Sequence, residues 1–384
     1  MLPLTLSAAS AYWLVWTILS SPTPGEIGPI SGDGFQLVTN EAVEAAPFFS
    51  SVVADATSHD EVVIAAIAST GPETRSFALS RIESGGHLTH STFSDQEGIV
   101  PFRLQAIKAL DDGSAIFAAS FATRYPKLLR LERNGRMVSS VPLGTEAEPL
   151  VIHKFIAGPM GTVIALGSQL AHPALASISR EGQVRWIKAC DLGTSQVFVD
   201  GVIVSSGEMV LVANRGLDRL RSTGEAIQLV RVNGAGEVVE QRPPVQGRLG
   251  AIARVGSTIG LVLDRSVGQE REFWFATLGA DLGLQFQLPV GHGLPSFARA
   301  AIVATPAETF VVAVATGSAV RMIELHGDRA VRDVTIPLAL ASGDVWLDAI
   351  ADQFVMIVRT AKETPPAKKI VESLRVLTLR RSGP

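Results

Sequence analysis

The chain has 384 residues, 33 basic against 37 acidic side chains, a formal net charge of −4, and 47% apolar against only 18% charged residues. So high an apolar fraction with so small a net charge excludes a disordered chain, and the lack of a basic excess argues against a duplex-nucleic-acid binder. The single cysteine, Cys190, excludes an internal disulfide and any cysteine-rich zinc or iron–sulfur centre.

From Leu2 to Gly25 no residue is charged. Ala8–Leu19 reads AASAYWLVWTIL and is followed by Ser20-Ser21-Pro22-Thr23-Pro24-Gly25. An apolar run of about a dozen residues followed by small residues and proline has the form of an export signal with its cleavage region, although the basic start of such a signal is missing. The uncharged stretch is also marginal for a membrane span. Residues 1–27 are therefore read as a signal peptide or an amino-terminal membrane anchor with a linker, and residues 28–384 as the folded domain. The expected location is export: periplasmic, cell-surface or secreted, with residues 2–19 as the route to any membrane association.

The rest of the chain repeats itself. A short apolar strand recurs seven times behind a polar or turn residue: Glu61-VVIAAI, Ser114-AIFAAS, Thr162-VIALGS, Glu208-MVLVAN, Thr258-IGLVLD, Thr309-FVVAVA and Gln353-FVMIVR. The intervals between these leading residues are 53, 48, 46, 50, 51 and 44. Each copy is followed by a variable loop and a strand with alternating polarity, from FALSRIE at Phe77 through LASISR at Leu175 to LRVLTL at Leu374. Turns with glycine or asparagine come next, such as Asn134-Gly135, Glu181-Gly182, Asn233-Gly234 and His326-Gly327. These residues supply the positive φ of tight hairpins. A further strand follows most turns, and another apolar run precedes each copy, as in VIHKFIA from Val151. Four short strands per unit of about 50 residues, with no sustained helical period, predict an all-β fold of radially repeated four-stranded sheets, a β-propeller.

The two ends agree with seven blades. The chain stops at Pro384 just after the turn of the seventh unit, so that unit lacks its outermost strand. Phe35-Gln36-Leu37-Val38 is a spare strand ahead of the first unit, whose innermost strand is expected over Pro47–Ala54. Pairing Phe35–Val38 with Leu374–Leu379 removes both open edges and closes the ring, and unpaired sheet edges are a liability. The expected fold is a seven-bladed β-propeller of four-stranded antiparallel blades, closed by an amino-terminal strand. This rhythm of glycine turns and four-strand units resembles bacterial β-propeller repeat proteins over Phe35 to Pro384. Glu181-Gly182-Gln183-Val184-Arg185-Trp186 looks like the hairpin of quinoprotein-type repeats but occurs once. No Trp-Asp dipeptide closes a blade, unlike WD40 proteins, and the repeated Gly-Gly pair of kelch proteins is absent.

Function is expected at the mouth, in the loops between the second and third strands of each blade and the connectors between blades. Chemistry motifs are missing. Asp111-Asp112-Gly113-Ser114 reads as a hairpin turn and Gly234-Ala235-Gly236 as a bulged hairpin, and nothing matches a nucleophile elbow. The seven histidines show no metal-ligand spacing. Cys190 reads as a small buried residue, and Trp186 and Trp274 as packing between blades. No catalytic residue, metal ligand or cofactor is assigned. The binding candidates are Arg124, His172, Arg215, Arg219, Arg221, His292, Lys368 and Lys369, although nearby Glu73, Asp218, Glu225, Glu270 and Glu363 balance the cations. The leading expectation is an exported, non-enzymatic, monomeric propeller that binds a protein partner or acts as a scaffold through these loops. The alternative is a propeller enzyme, a hydrolase or lyase of glycans or small metabolites, with its site in the central mouth. Convergence of three or more carboxylates or histidines at the mouth favours the enzyme, and a plugged apolar channel favours the scaffold.

Overall fold

The computed structural model describes residues 35–44, 48–57, 61–69, 75–83, 88–94, 101–121, 126–158, 161–193, 196–205, 207–215, 225–295, 298–338, 341–350, 353–364 and 369–382. The expected signal or anchor, residues 2–19, lies outside them. Among the described residues there are seven sheets and no α-helix, hence no helix long and apolar enough to cross a membrane.

The first strand, β1 (Phe35–Glu44), is separated from its sheet partners by nearly the whole chain. Blade 1 follows as β2 (Phe48–Ala56), β3 (Glu61–Ser69), β4 (Arg75–Glu83) and β5 (Leu88–Ser94). Blade 2 is β6 (Arg103–Ala109), β7 (Ala115–Ser120), β8 (Pro126–Leu131) and β9 (Met137–Pro142). Blade 3 is β10 (Leu150–Ala157), β11 (Val163–Gln169), β12 (His172–Ile178) and β13 (Val184–Ala189). Blade 4 has β14 (Gln196–Ile203), β15 (Met209–Arg215), β16 (Ala226–Val232) and β17 (Val238–Gln241), and a short β18 (Val245–Gln246) pairs with β16. Blade 5 is β19 (Arg248–Val255), β20 (Thr258–Val267), β21 (Glu270–Leu278) and β22 (Leu284–Leu294). Blade 6 is β23 (Arg299–Ala304), β24 (Phe310–Ala315), β25 (Ala319–His326) and β26 (Arg329–Pro337). Blade 7 holds β27 (Ala341–Ile350), β28 (Gln353–Thr364) and β29 (Lys369–Arg381), and β1 fills its outermost place. The chain is a seven-bladed β-propeller.

Each repeated apolar run is the second strand of its blade, and its continuous hydrophobicity has a direct cause. Side chains alternate between the two faces of a strand, and both faces of these strands meet a neighbouring blade. Val63, Ala65 and Ile67 of β3 pack with Ile107, Ala115 and Phe117 of blade 2. Val62, Ile64 and Ala66 of the same strand pack with Val355, Ile357 and Val376 of blade 7. The core is therefore divided into seven apolar clusters, one at each junction between consecutive blades. Trp186 packs at the junction of blades 3 and 4 and Trp274 at that of blades 4 and 5, as their place in strands implied. Cys190 is buried in the former cluster, and burial pushes its thiol up to about 11.

The closure forms, and it is longer than expected. β1 runs antiparallel to β29 from Phe35 opposite Arg381 to Glu44 opposite Ser373, with a bulge between Leu37 and Thr39. Phe35 is buried among residues of blades 6 and 7, and its ring meets Phe354 edge-on at 5.5 Å. What the closure removes is the bare edge of β29, since β1 is itself an outer edge like the last strand of every other blade. The innermost strand of blade 1 sits two residues later than expected at its end, over Phe48–Ala56.

Three of the turns between third and fourth strands each use one left-handed glycine. Gly135, Gly182 and Gly236 donate their N–H groups back to Glu132, Ser179 and Asn233, with φ of 84°, 82° and 80°. In Asn233-Gly234-Ala235-Gly236 it is the second glycine that turns left-handed, which places the bulge in the hairpin between β16 and β17. Asp112 caps its turn by accepting from the Ser114 N–H at 2.8 Å, so the Asp-Asp-Gly-Ser segment is a hairpin.

Polar clamps reinforce the junctions. Glu324 of blade 6 is buried, accepts from Thr309 Oγ1 at 2.7 Å, and pairs with Arg332 at 2.6 Å and with Arg381 of blade 7 at 2.7 Å. Burial alone would raise its carboxyl; the Thr309 hydroxyl and the two guanidinium groups outweigh that and hold it below the usual carboxylate range. Arg133 of blade 2 reaches back to Glu61 at 3.4 Å and Glu83 at 3.0 Å of blade 1.

Two predictions follow from these junctions. Phe35→Ala should cost about 3 kcal/mol in urea unfolding, whereas Val38→Ala, at an exposed position of the same strand, should stay within about 0.5 kcal/mol; equal effects would refute closure by burial of Phe35. Glu324→Gln leaves two guanidinium groups without their carboxylate and should cost about 3 kcal/mol at pH 7. Because the folded carboxyl titrates below its unfolded value, the wild-type advantage is present above about pH 4.5 and fades as pH falls through the folded value. The stability difference between the two proteins should therefore shrink as pH falls below about 4.5, read from urea unfolding at a series of pH values.

Candidate functional site

Two-residue to longer hairpins between second and third strands, together with the connectors between blades, form one face of the ring, the mouth side. Four exposed large apolar residues lie there. Phe102 (53% exposed) precedes β6 and donates its N–H to Ser120 O at 2.7 Å. Val151 is near the start of β10, Leu170 (59% exposed) lies between β11 and β12, and Val267 ends β20. The remaining exposed large apolar residues, Val38, Met137, Val138, Val238, Val239 and Val331, lie on outermost strands. Among the described residues, the turns of the opposite face carry none.

Phe102, Val151 and Leu170 share blades 2 and 3, which are tied together where the Ile152 N–H donates to Gln105 Oε1 at 3.1 Å. Cations surround them. The Arg75 guanidinium stands 4.1 Å from the Phe102 ring centre and the Lys127 ammonium 5.3 Å from that of Phe121. Burial, and secondarily Arg103, lowers the pKa of His153 beside them. Leu170 is held by an unusual backbone. Gln169 pairs with His172, so Leu170 and Ala171 form a two-residue turn with φ of 50° and 63°. That conformation suits Asn-Gly, and costs side chains with a Cβ energy.

A second concentration of polar groups lines the central channel. The inner strands of five blades contribute Asp55 (β2), Lys108 (β6), Lys154 (β10), Asp200 (β14) and Asp348 (β27). Pairing register sorts them into two levels. Asp55, Lys108 and Asp348 face Val63, Ile116 and Val355, each the second residue after the leading residue of its repeat. Lys154 and Asp200 face Leu166 and Val212, two residues closer to the mouth. Bulges between Ile152 and Lys154 and between Phe198 and Asp200 set that register. Blades 5 and 6 supply only small or aliphatic side chains, Gly250, Ala251 and Ile252 with Ala300, Ala301 and Ile302. With Asp55, Lys154, Asp200 and Asp348 these side chains line a cavity of about 210 Å³, with Trp346 on its wall.

On its wall, Asp55 pairs with the Lys108 ammonium at 2.6 Å and accepts the Ala109 N–H at 2.8 Å. Asp200 raises the pKa of Lys154. Burial raises that of Asp200, opposed by Lys154 and by the Gly201 N–H at 2.8 Å. Burial, then the Asp55 charge, pushes the Asp348 carboxyl up to about 6, against its one hydrogen bond, from the Ala349 N–H at 2.9 Å. Among the described residues no group of three or more His, Cys, Asp or Glu is disposed to hold a metal ion.

The residues singled out from the sequence are not in this cavity. His172 opens β12 at the mouth side of blade 3, half-buried, and exposed Arg215 ends β15 of blade 4. His292 stands near the end of β22 of blade 5, with Nδ1 3.7 Å from Glu272 Oε1 and its ring edge-on to Trp274. Lys369 begins β29 opposite Thr364. These four sit on four different blades. Arg124, Arg219, Arg221 and Lys368 lie outside the described residues. The channel residues were missed, although each has a signal: a lone charge inside an apolar inner strand, as in VVADA, AIKAL, HKFIA, FVDGV and WLDAI.

No family model matches the chain, and no curated protein does. Solved structures do. The WD40 domain of Toxoplasma gondii coronin superposes with a TM-score of 0.52 at 9% identity, covering 91% of this chain and 87% of that one. Drosophila Plexin A, solved in complex with Semaphorin 1b, gives 0.50 at 8% identity, covering 91% and 88%. The GH93 α-L-arabinofuranosidase of Fusarium graminearum gives 0.47 at 14% identity, covering 71% and 92%. At such identities the similarity shows the fold alone, the β-propeller that the strand order describes.

Proposed function

We propose that this propeller is a binding module that engages a protein partner with its mouth-side face. The observation that carries the reading is the gathering of three exposed apolar residues, Phe102, Val151 and Leu170, on the mouth side of neighbouring blades 2 and 3, while the opposite turns carry no such residue among those described. Isolated exposed apolar residues need no explanation, but a cluster rimmed by polar groups marks an interaction surface. Leu170 adds to it, because a leucine at a left-handed turn position is retained against its conformational cost. Arg75, Arg103 and Lys127 around the patch suit a partner with an apolar centre and an acidic rim. In this reading residues 2–19 take the chain out of the cytoplasm, as a cleaved signal or an anchor, and the partner meets it there. An enzyme acting in the central mouth is the second reading, and it rests on the convergence of Asp55, Asp200 and Asp348 in the channel.

The test is co-purification of the tagged full-length chain from its host, followed by variants. Leu170→Asp and Phe102→Asp should each reduce recovery of a near-stoichiometric partner at least tenfold, while Val331→Asp, on an outer strand, leaves it unchanged. A partner retained equally by all three sinks the assignment of this face. A further variant separates stability from binding. Leu170→Asn with Ala171→Gly supplies the residues the turn favours and should raise stability by about 1 kcal/mol, while weakening the partner. Loss of stability in that double variant would contradict the strained turn.

A further inference from the structure

The charges of the central channel do not balance, and the imbalance has a location. Lys108 is paired with Asp55, and Asp200 is the charge that acts most strongly on Lys154. Each lysine thus has its own aspartate on a neighbouring blade. Asp348 is left over. No ion pair joins it to another described residue, and its one hydrogen bond comes from the Ala349 N–H. Two residues earlier on β27, and therefore on the same side of the strand, Trp346 lines the same cavity. Beside them, blades 5 and 6, the next two around the ring, offer only Gly250, Ala251, Ala300, Ala301 and neighbouring aliphatics, which leave room and compete for no charge.

We infer that the central cavity is a binding site for a small organic monocation, an alkylammonium group held by the Asp348 carboxylate and the Trp346 ring. Asp348 is half-buried and feels Lys108 and Lys154 without an ion pair to either, and such a carboxylate is stabilised by a counter-charge or a proton. An aromatic face beside it attracts an organic cation, and the aliphatic wall of blades 5 and 6 favours one with a hydrocarbon part over a fully hydrated metal ion. The cavity of about 210 Å³ has the volume of about seven waters, so the ligand is compact. A ligand with a second cationic group is disfavoured by Lys154 and Lys108, and an anion by the three aspartates. The site is independent of the mouth-side protein surface.

The proton is the natural competitor. Burial and Asp55 push the Asp348 carboxyl up to about 6, so binding of a cation strengthens as pH rises through that value and the carboxylate forms. The charges that face it are Asp55 on β2, Lys108 on β6, Lys154 on β10 and Asp200 on β14. The adjoining β23 and β28 carry Arg299 and Arg359 toward their mouth-side ends.

The experiment is calorimetric titration of the full chain with methylammonium, ethylammonium and tetramethylammonium chlorides at constant ionic strength. Potassium chloride and tert-butyl alcohol, a neutral molecule close in size and shape to tetramethylammonium, serve as controls. The inference expects saturable binding of at least one ammonium, at least tenfold tighter than potassium, with no binding of the alcohol. Affinity should rise about tenfold between pH 5 and pH 7. Asp348→Asn should lose that affinity at least tenfold together with its pH dependence, and Trp346→Leu should weaken it severalfold. Asp348→Asn removes an uncompensated charge, so its thermal midpoint at pH 7 should not fall, which separates lost binding from lost folding. Absence of saturable ammonium binding, potassium binding of equal strength, or full affinity in Asp348→Asn would each overturn the assignment.

Discussion

Everything in this molecule depends on the packing of one blade against the next. Among the described residues the buried apolar side chains are shared out among seven junctions rather than one central core, and each second strand serves two of them at once. Val62 and Val63 are neighbours in sequence, yet one packs toward blade 7 and the other toward blade 2. A fully buried aliphatic side chain contributes roughly 1.5–3 kcal/mol, so a strand with five or six of them ties three blades into a single cooperative unit. Such an arrangement tolerates no gap, because a ring with one junction missing leaves two apolar sheet faces in water.

This requirement explains the long-range pairing of β1 with β29. Blade 7 draws three strands from the end of the chain and its fourth from the beginning, so the first and last described segments are held in one sheet. Phe35 then reaches the junction of blades 6 and 7, and Arg381, opposite it in register, reaches the buried Glu324 of blade 6. Strand pairing, apolar burial and an ionic clamp thus converge at the seam. The closure costs the entropy of joining distant segments, and it is at the seam that the structure concentrates its best-satisfied buried charge.

The same ring geometry creates the central channel and the mouth-side face. Inner strands cannot pack on one another across the axis as tightly as second strands pack between blades, so a channel remains and its polar residues gather there. Asp55, Lys108, Lys154, Asp200 and Asp348 come from five separate blades and act on one another electrostatically. The loops of the mouth side lie outside the junctions and are free to carry apolar groups such as Leu170 and Phe102 without disturbing the core.

What the sequence determined by itself was the architecture. Seven apolar runs behind a polar residue, glycine turns at matching offsets and a spare strand at Phe35 are local patterns, and local patterns are what periodicity and turn chemistry record. The roles of Cys190, Trp186, Trp274 and the Asp-Asp-Gly-Ser turn were legible for the same reason. The channel was not. Lys154 and Asp200 are 46 residues apart in the chain and Asp55 and Asp348 almost 300, and a lone charge in an inner strand has no meaning until the ring brings the strands around one axis. His172, Arg215, His292 and Lys369 stood out because the sequence places them in mouth-side loops; the structure puts them at or near strand ends instead, and neither position says which blades face one another across the mouth. Only the tertiary structure decided that, because closure of the ring and the bulges in its inner strands set which residues share a level and which of them meet.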